Sequence, residues 1–268
     1  MPLNSQDIEA AGKALFDAEK AGVQIGLLSL KHPEMDMQDA YAVQVAFCAH
    51  KQAAGARIVG WKIGLTSKAM RDALKIDIPD SGVLFDDMVF ENGASVPRRR
   101  FIQPRIEAEI AFVMKAPLQG PGVVRDDILA ATDYVTPALE ILDTRIVRRD
   151  PDTGKFRRIT DTIADNAANA GIVLGKTRHA MHSTDLRWTG AIVKRNGEVE
   201  ETGLGAAVLN DPALGIVWLA NRLAEFGGRI EPGQIVLSGS FIRPVEAVPG
   251  SRIEAEFGVL GNLHCDFE

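Results

Sequence analysis

The chain has 268 residues, 46% hydrophobic and 25% charged, with a formal charge of −6. These are the proportions of an ordinary globular protein, large enough to bury a core without disulfides or a structural metal. The acidic balance argues against nucleic-acid binding as the main task, and no apolar run approaches the roughly 20 residues that cross a membrane. Cys48 and Cys265 stand far apart with no zinc-type spacing, which reads as two reduced thiols. The opening MPLNSQDIEAAG has no secretory pattern, so the expected location is the cytoplasm.

Taken in order, the first elements are helical. Asn4 or Ser5 can cap a segment in which Ile8, Ala11, Leu15 and Ala18 recur at helical spacing, with Gly22 as its stop. Asp36 can cap a second, with Ala40, Val43 and Phe47 on one face, closing near Gly55. Periodicity leaves Val23 to Leu30, between them, open between strand and helix. From Ile58 the texture changes to short apolar runs punctuated by Gly, Pro, Asn and Asp: GWKIGL, SGVLF, IEAEIAFV, PALEIL, AGIVLG, GAIVKRNGEV, GQIVLSGSF and SRIEAEFGVLG. These read as strands. Asn196-Gly197 marks a tight hairpin. Helices are expected near Asp126 and from Pro212 to Glu225. No internal repeat or long linker is visible. The fold class is therefore α+β, with a small helical N-terminal region, residues 1–57, packed on a strand-rich mixed β-sheet body, residues 58–268.

In Arg105-Ile106-Glu107-Ala108-Glu109-Ile110, a strand sends Ile106, Ala108 and Ile110 to one face and Glu107 and Glu109 to the other. Two carboxylates that close are costly to bury unless a cation compensates. Glu140, inside the apolar run PALEIL, is a third odd acid. Three carboxylates from two strands make an all-oxygen set, which suits a hard cation such as Mg²⁺ or Mn²⁺ better than zinc. The competing reading is a wet sheet face. A second EAE, Glu254-Ala255-Glu256, has no third acid and reads as a solvated face.

Lys62, between apolar residues and two glycines, either snorkels from the core or points into a cleft as an acid or base. Asp165-Asn166 lie in a polar stretch before a strand, either as turn residues or as supports for a site. Ser238-Gly239-Ser240 follows an apolar strand, where glycine lets a ligand approach and the amides and hydroxyls can hold a carboxylate. Arg98-Arg99-Arg100 reads as a solvated loop. Other motifs fail: Gly175-Lys176-Thr177 lacks the first glycine of a P-loop, Gly203-Leu204-Gly205 lacks the third glycine of a dinucleotide fingerprint, His179 and His182 have no zinc-protease spacing, and no G-x-S-x-G elbow is present.

The stretches GWKIGLTSKAMR, PDSGVLFDDM, PRIEAEIAFVM, YVTPALEILD, DTIADNAANAGIVLG, NGEVEETGLGAAVLNDPALGIVWLANRL and GQIVLSGSFIRPV together resemble the hydratase/decarboxylase branch of the fumarylacetoacetase superfamily, over nearly the whole chain. The resemblance implies a fumarylacetoacetase C-terminal-like sheet fold, a Mg²⁺- or Mn²⁺-dependent lyase and a homo-oligomer. By motif it makes Glu107, Glu109 and Glu140 the metal ligands, places Lys62 beside the metal, and matches Asp80, Asp165, Asn166 and Ser240 to family positions. Ser238 departs from the expected Gly-Gly-Ser.

The chemistry so implied is hydration, in aromatic catabolism such as homoprotocatechuate degradation. A small unsaturated 2-oxo dicarboxylate, derived from a 2-hydroxy-dienoate, gains water to give 4-hydroxy-2-oxoheptane-1,7-dioate. Lys62 and then Asp80 are the expected acid–base groups. Arg105, Arg243 and the Ser238–Ser240 loop are candidates for the far carboxylate. The alternatives are hydration of 2-hydroxypenta-2,4-dienoate, decarboxylation of a 4-oxalocrotonate-type 2-oxo acid, hydrolysis of an acylpyruvate (which lacks its histidine here), and a non-catalytic metal-bound partner subunit.

Overall fold

A computed structural model describes residues 3–68, 71–72, 76–97 and 99–268; Arg98 of the basic run lies outside them. Helix α1, Ser5–Ala21, is capped by Asn4, whose side chain accepts from the Asp7 amide at 2.9 Å, and it stops at Gly22. The open segment that follows makes a single bridge, Ile25 to Ile146, and then one helical turn, α2, Leu28–Lys31. Helix α3, Met37–Ala53, begins in a capping box between Asp36 and Asp39. Leu15, Val43 and Phe47 on α1 and α3 pack with Phe85, Met88, Ile146 and Ile163.

The body contains strands β1 Ile58–Gly64, β2 Asp80–Phe85, β3 Val89–Glu91, β4 Ser95–Val96, β5 Arg105–Met114, β6 Thr132–Leu142, β7 Asn169–Leu174, β8 Gly190–Arg195, β9 Glu198–Leu204, β10 Ile235–Leu237, β11 Val245–Glu246, β12 Arg252–Glu256 and β13 Asn262–Phe267. Helices α4 Arg125–Ala131, α5 Ile159–Ala164 and α6 Pro212–Ala224 lie between them. The expected helices near Asp126 and from Pro212 are α4 and α6. The Asn196-Gly197 hairpin joins β8 to β9 with both residues at positive φ. The expected strand QIVLSGSF ends at Leu237, because the chain turns at Gly239. Strand β13 was not expected, although Leu263, Cys265 and Phe267 alternate inward along it.

The larger sheet runs β2-β1-β10-β5-β6-β7-β3, with β11 also on β5. Its two terminal strands, β2 and β3, are separated in the chain only by Asp86–Met88, so the sheet must roll until its edges meet. Side chains stitch the seam. Asn166 accepts from the Val83 amide at 2.7 Å and donates to the Val83 carbonyl at 2.9 Å, and Asn169 donates to that carbonyl at 3.0 Å. The second sheet, β4-β13-β12-β8-β9, packs on the outside of the roll. Ile106, Ala108, Ile110 and Phe112 meet Val193, Ile253, Leu263 and Ile216 there in the main core. Inside the roll lies a small apolar cluster of Leu84, Ala111, Ala138, Ile172 and Leu237.

Behind the seam, Arg145 is buried. Its Nε donates to Asp165, whose other oxygen accepts from the Arg145 amide at 2.8 Å, and its Nη1 lies 3.7 Å from Glu19 on α1. Lys51 on α3 also pairs with Glu19. Burial pushes the Asp165 carboxyl up to about 6 against the pull of Arg145. Both cysteines are buried and free, and burial pushes each thiol up to about 12. No described helix is long and apolar enough to cross a membrane.

Asn166→Ala should cut the stability to denaturant unfolding by about 2–4 kcal/mol, since two hydrogen bonds go, a buried amide loses its partner, and Asn166 sits at φ 51, where Asn is better tolerated than Ala.

Candidate metal centre

Strands β5 and β6 pair along their whole length, with Glu107 directly opposite Glu140 and Glu109 opposite Ala138. Directly opposed residues share a face, and their Cβ atoms stand roughly 5 Å apart. All three acids therefore point into the roll, and one oxygen from each lies within 4.8 Å of the others. Glu109 and Glu140 have no exposure. One Glu109 oxygen accepts from the Gly239 amide at 2.8 Å. Its other oxygen and both Glu140 oxygens are buried without a hydrogen-bond partner among the described residues.

Lys62 and Asp80 arrive from the neighbouring strands. Lys62 on β1 is buried, with Nζ 3.6 Å from Glu140 Oε1. Asp80 begins β2 opposite Gly64. A Cβ on Gly64 would come within 2.2 Å of the Asp80 carboxylate and 3.0 Å of Lys62 Nζ, so the second glycine of the GWKIG run is what lets both groups share the interior. Gly239 is required for a similar reason. Its φ is +119, and a side chain there would strike Thr66.

The electrostatics are those of a site short of positive charge. Burial, and then Glu140, push Glu107 up to about 8, against Lys62 and Arg105. Burial, Glu140 and Glu107 hold Glu109 well above its ordinary value. Burial raises Glu140 too, against Lys62. For Lys62, burial acts to remove the proton, but Glu140, Asp80, Glu107 and Glu109 together outweigh it and the net direction is up. Burial raises Asp80 against Lys62. The orphaned oxygens and the like charges both fit a bound divalent cation, which an all-carboxylate donor set suits.

The other expected site residues are placed as follows. The Ser238 hydroxyl is buried without a partner among the described residues. Gly239 binds a carboxylate, but the protein's own. Ser240 turns back on itself, with Oγ donating to the Ile242 carbonyl at 2.9 Å. Asp165 and Asn166 spend their polar atoms on Arg145 and Val83. Arg105 shares the Glu107–Glu109 face. Arg243 is 82% exposed and pairs with Glu201. Glu254 and Glu256 lie on an open sheet face, Glu256 held by Lys194. Arg145 was missed; its signal was a cation in the run LEILDTRIV.

A rolled sheet with an acid trio and a lysine inside is the arrangement that the resemblance to the fumarylacetoacetase superfamily implies. No family model matches the chain. It is 49% identical over 253 residues, 94% of this chain and 95% of the relative, to 2-oxo-hept-4-ene-1,7-dioate hydratase of Escherichia coli. It is 40% identical to 2-hydroxyhexa-2,4-dienoate hydratase of Comamonas testosteroni, over 98% of each chain. Among solved structures, 4-oxalocrotonate decarboxylase from Pseudomonas putida G7, complexed with magnesium and adipate, superposes with a TM-score of 0.93 at 36% identity over 99% of each chain. The chain belongs to the hydratase/decarboxylase branch of the fumarylacetoacetase superfamily.

Glu140→Gln should weaken Mg²⁺ binding about 100-fold or more in calorimetric titration, since losing an outer partner alone costs 10–100-fold; Glu256→Gln, in the second EAE, should leave it unchanged. A carboxylate whose pKa is raised on folding keeps a proton that the unfolded chain has lost. The metal-free protein should therefore lose stability as pH rises from the ordinary carboxylate range toward 8. Mg²⁺ addition at pH 7 should release protons, read from the buffer dependence of the binding heat, and release should fade above roughly pH 9.

Proposed function

We propose that this protein is a divalent-metal-dependent hydratase acting on a small unsaturated 2-oxo dicarboxylate, 2-oxohept-4-ene-1,7-dioate being the best-fitting member, to give 4-hydroxy-2-oxoheptane-1,7-dioate. The observation that carries this is the inward-facing trio Glu107, Glu109 and Glu140, two of them fully buried, with Lys62 against it. The 49% identity to the E. coli hydratase supports the substrate class. A Mg²⁺ or Mn²⁺ ion held by the trio supplies a Lewis acid for the 2-oxo acid end of the substrate. Every proton step then belongs to the chain.

Lys62 is held protonated by the surrounding carboxylates, so Nζ is a proton donor, suited to delivering a proton to carbon as the dienol becomes the enone. Asp80, kept above its ordinary range by burial, is the second group that can hold and return a proton, as the conjugate addition of water requires. The Gly239 amide fixes the orientation of Glu109. The Ser238 hydroxyl is free to meet substrate. The apolar lining of Ala111, Ala138 and Leu237 keeps bulk water away from a reaction that must admit one water molecule. Catalysis is assigned to residues 58–268, with residues 1–57 as their support, and the family resemblance extends to a homo-oligomer, which light scattering checks.

Pure protein with Mg²⁺ and 2-hydroxyhepta-2,4-diene-1,7-dioate should consume the ultraviolet absorbance without releasing CO₂, and EDTA should stop it. CO₂ release would make the chain a decarboxylase instead, and full turnover in EDTA would sink the metal reading. Lys62→Met should lower kcat by about 10²–10⁴-fold while Mg²⁺ binding persists.

A further inference from the structure

A dicarboxylic substrate anchored at one end leaves its second carboxylate to be met by something else. We infer that Arg105, Arg148 and Arg157 form the subsite that receives it, an inference that rests on the hydratase reading above.

Arg105 lies on the acid face of β5, one same-face step, about 7 Å, before Glu107. That span is comparable with the separation of the two ends of an extended seven-carbon diacid. Arg148 and Arg157 are brought together by a hairpin. The Arg157 amide donates to the Arg148 carbonyl at 3.0 Å, the Asp150 amide donates to the Lys155 carbonyl at 2.9 Å, and Arg149 bridges Phe156. Arg105 and Arg148 converge on one oxygen of Glu246, at 4.0 and 3.1 Å. Burial lowers Arg157 against the pull of Asp165, with Arg105 and Arg148 adding to the fall.

Three guanidiniums crowded together raise the question of what neutralises them. Glu246 serves two. Asp165 is taken by Arg145, and Asp161 by Ser29 and the Arg158 amide. The cluster is left with excess positive charge. It also has three inaccessible nitrogens, Arg105 Nε, Arg148 Nε and Arg157 Nη1, with no hydrogen-bond partner among the described residues. Unused guanidinium donors beside an acid-lined interior match a carboxylate, which they bind in charge-assisted and often two-pronged fashion. Arg243 is occupied by Glu201 and exposed, so it does not compete for this role.

The test uses the full chain loaded with Mg²⁺ and two ligands differing only at the far end, 2-oxoheptanedioate and 2-oxoheptanoate, compared by titration calorimetry. Wild type should prefer the diacid by about 10–100-fold, the worth of a hydrogen bond to a charged group. Arg157→Met and Arg105→Met should collapse that ratio, and Arg157→Lys should restore part of it. Arg148→Met, at a part-exposed position, gives the same reading if the more buried variants misfold. An equal loss of both ligands, or an unchanged ratio, overturns the subsite. Wild type binding both ligands equally removes the subsite and leaves the hydratase reading standing. Wild type binding neither removes both.

Discussion

Glu107 faces Glu140 across a continuous β ladder, with Glu109 one step along and both Glu109 and Glu140 fully buried. Like charges directly opposed across strands are destabilising even on a wet face, and burial removes the screening that would soften them. The ladder on either side prevents the two strands from drifting apart to relieve the repulsion. Much of the surrounding interior answers to this constraint. Ala111 and Ala138 are small where the acids need room, a backbone amide is aimed at Glu109, and Lys62 brings the compensating charge of the chain itself.

One strand serves two purposes by alternation. The outward residues of β5, Ile106, Ala108, Ile110 and Phe112, bind the roll to the second sheet, while the inward residues between them include Glu107 and Glu109 of the acid trio. The packing of the outer core and the placing of two acids thus fall to the same ten residues. The seam opposite is held by Asn166, an amide standing in for a strand, and behind it by the Arg145–Asp165 pair. Such a buried ion pair is a weak source of stability but is costly to break on one side. Its effect here is to fix the turn that carries Asn166.

Much of this was legible in the sequence because it is local. Caps at Asn4 and Asp36, the Asn196-Gly197 turn and the period-two pattern of β5 each need only a few residues to be read. The acid trio was legible as a pattern of residues out of place, and the second EAE showed why the pattern alone does not decide: Glu109 and Glu256 sit in nearly the same local sequence, and only their place in the fold buries one and leaves the other open. Distant pairings were not legible. Nothing near Arg145 names Glu19 or Asp165 as its partners, nothing near Arg105 announces Arg148 and Arg157, and Asn166 reads as a turn residue until Val83 is placed beside it. Short strands such as β3 and β11 were missed because their few residues form strands only by pairing with long neighbours.

The contact of Glu19 with both Lys51 and Arg145 bears on how this molecule could be recombined. Arg145 and Lys51 are both buried, and beside their own partners Asp165 and Asp87 they share one acid that comes from the first helix, a stretch that looks in sequence like a removable preface. A chimera taking its opening helix from another source inherits that balance only if an acid arrives at the same place. The crossover point for such grafts is therefore governed by charge matching across the joint as much as by shape.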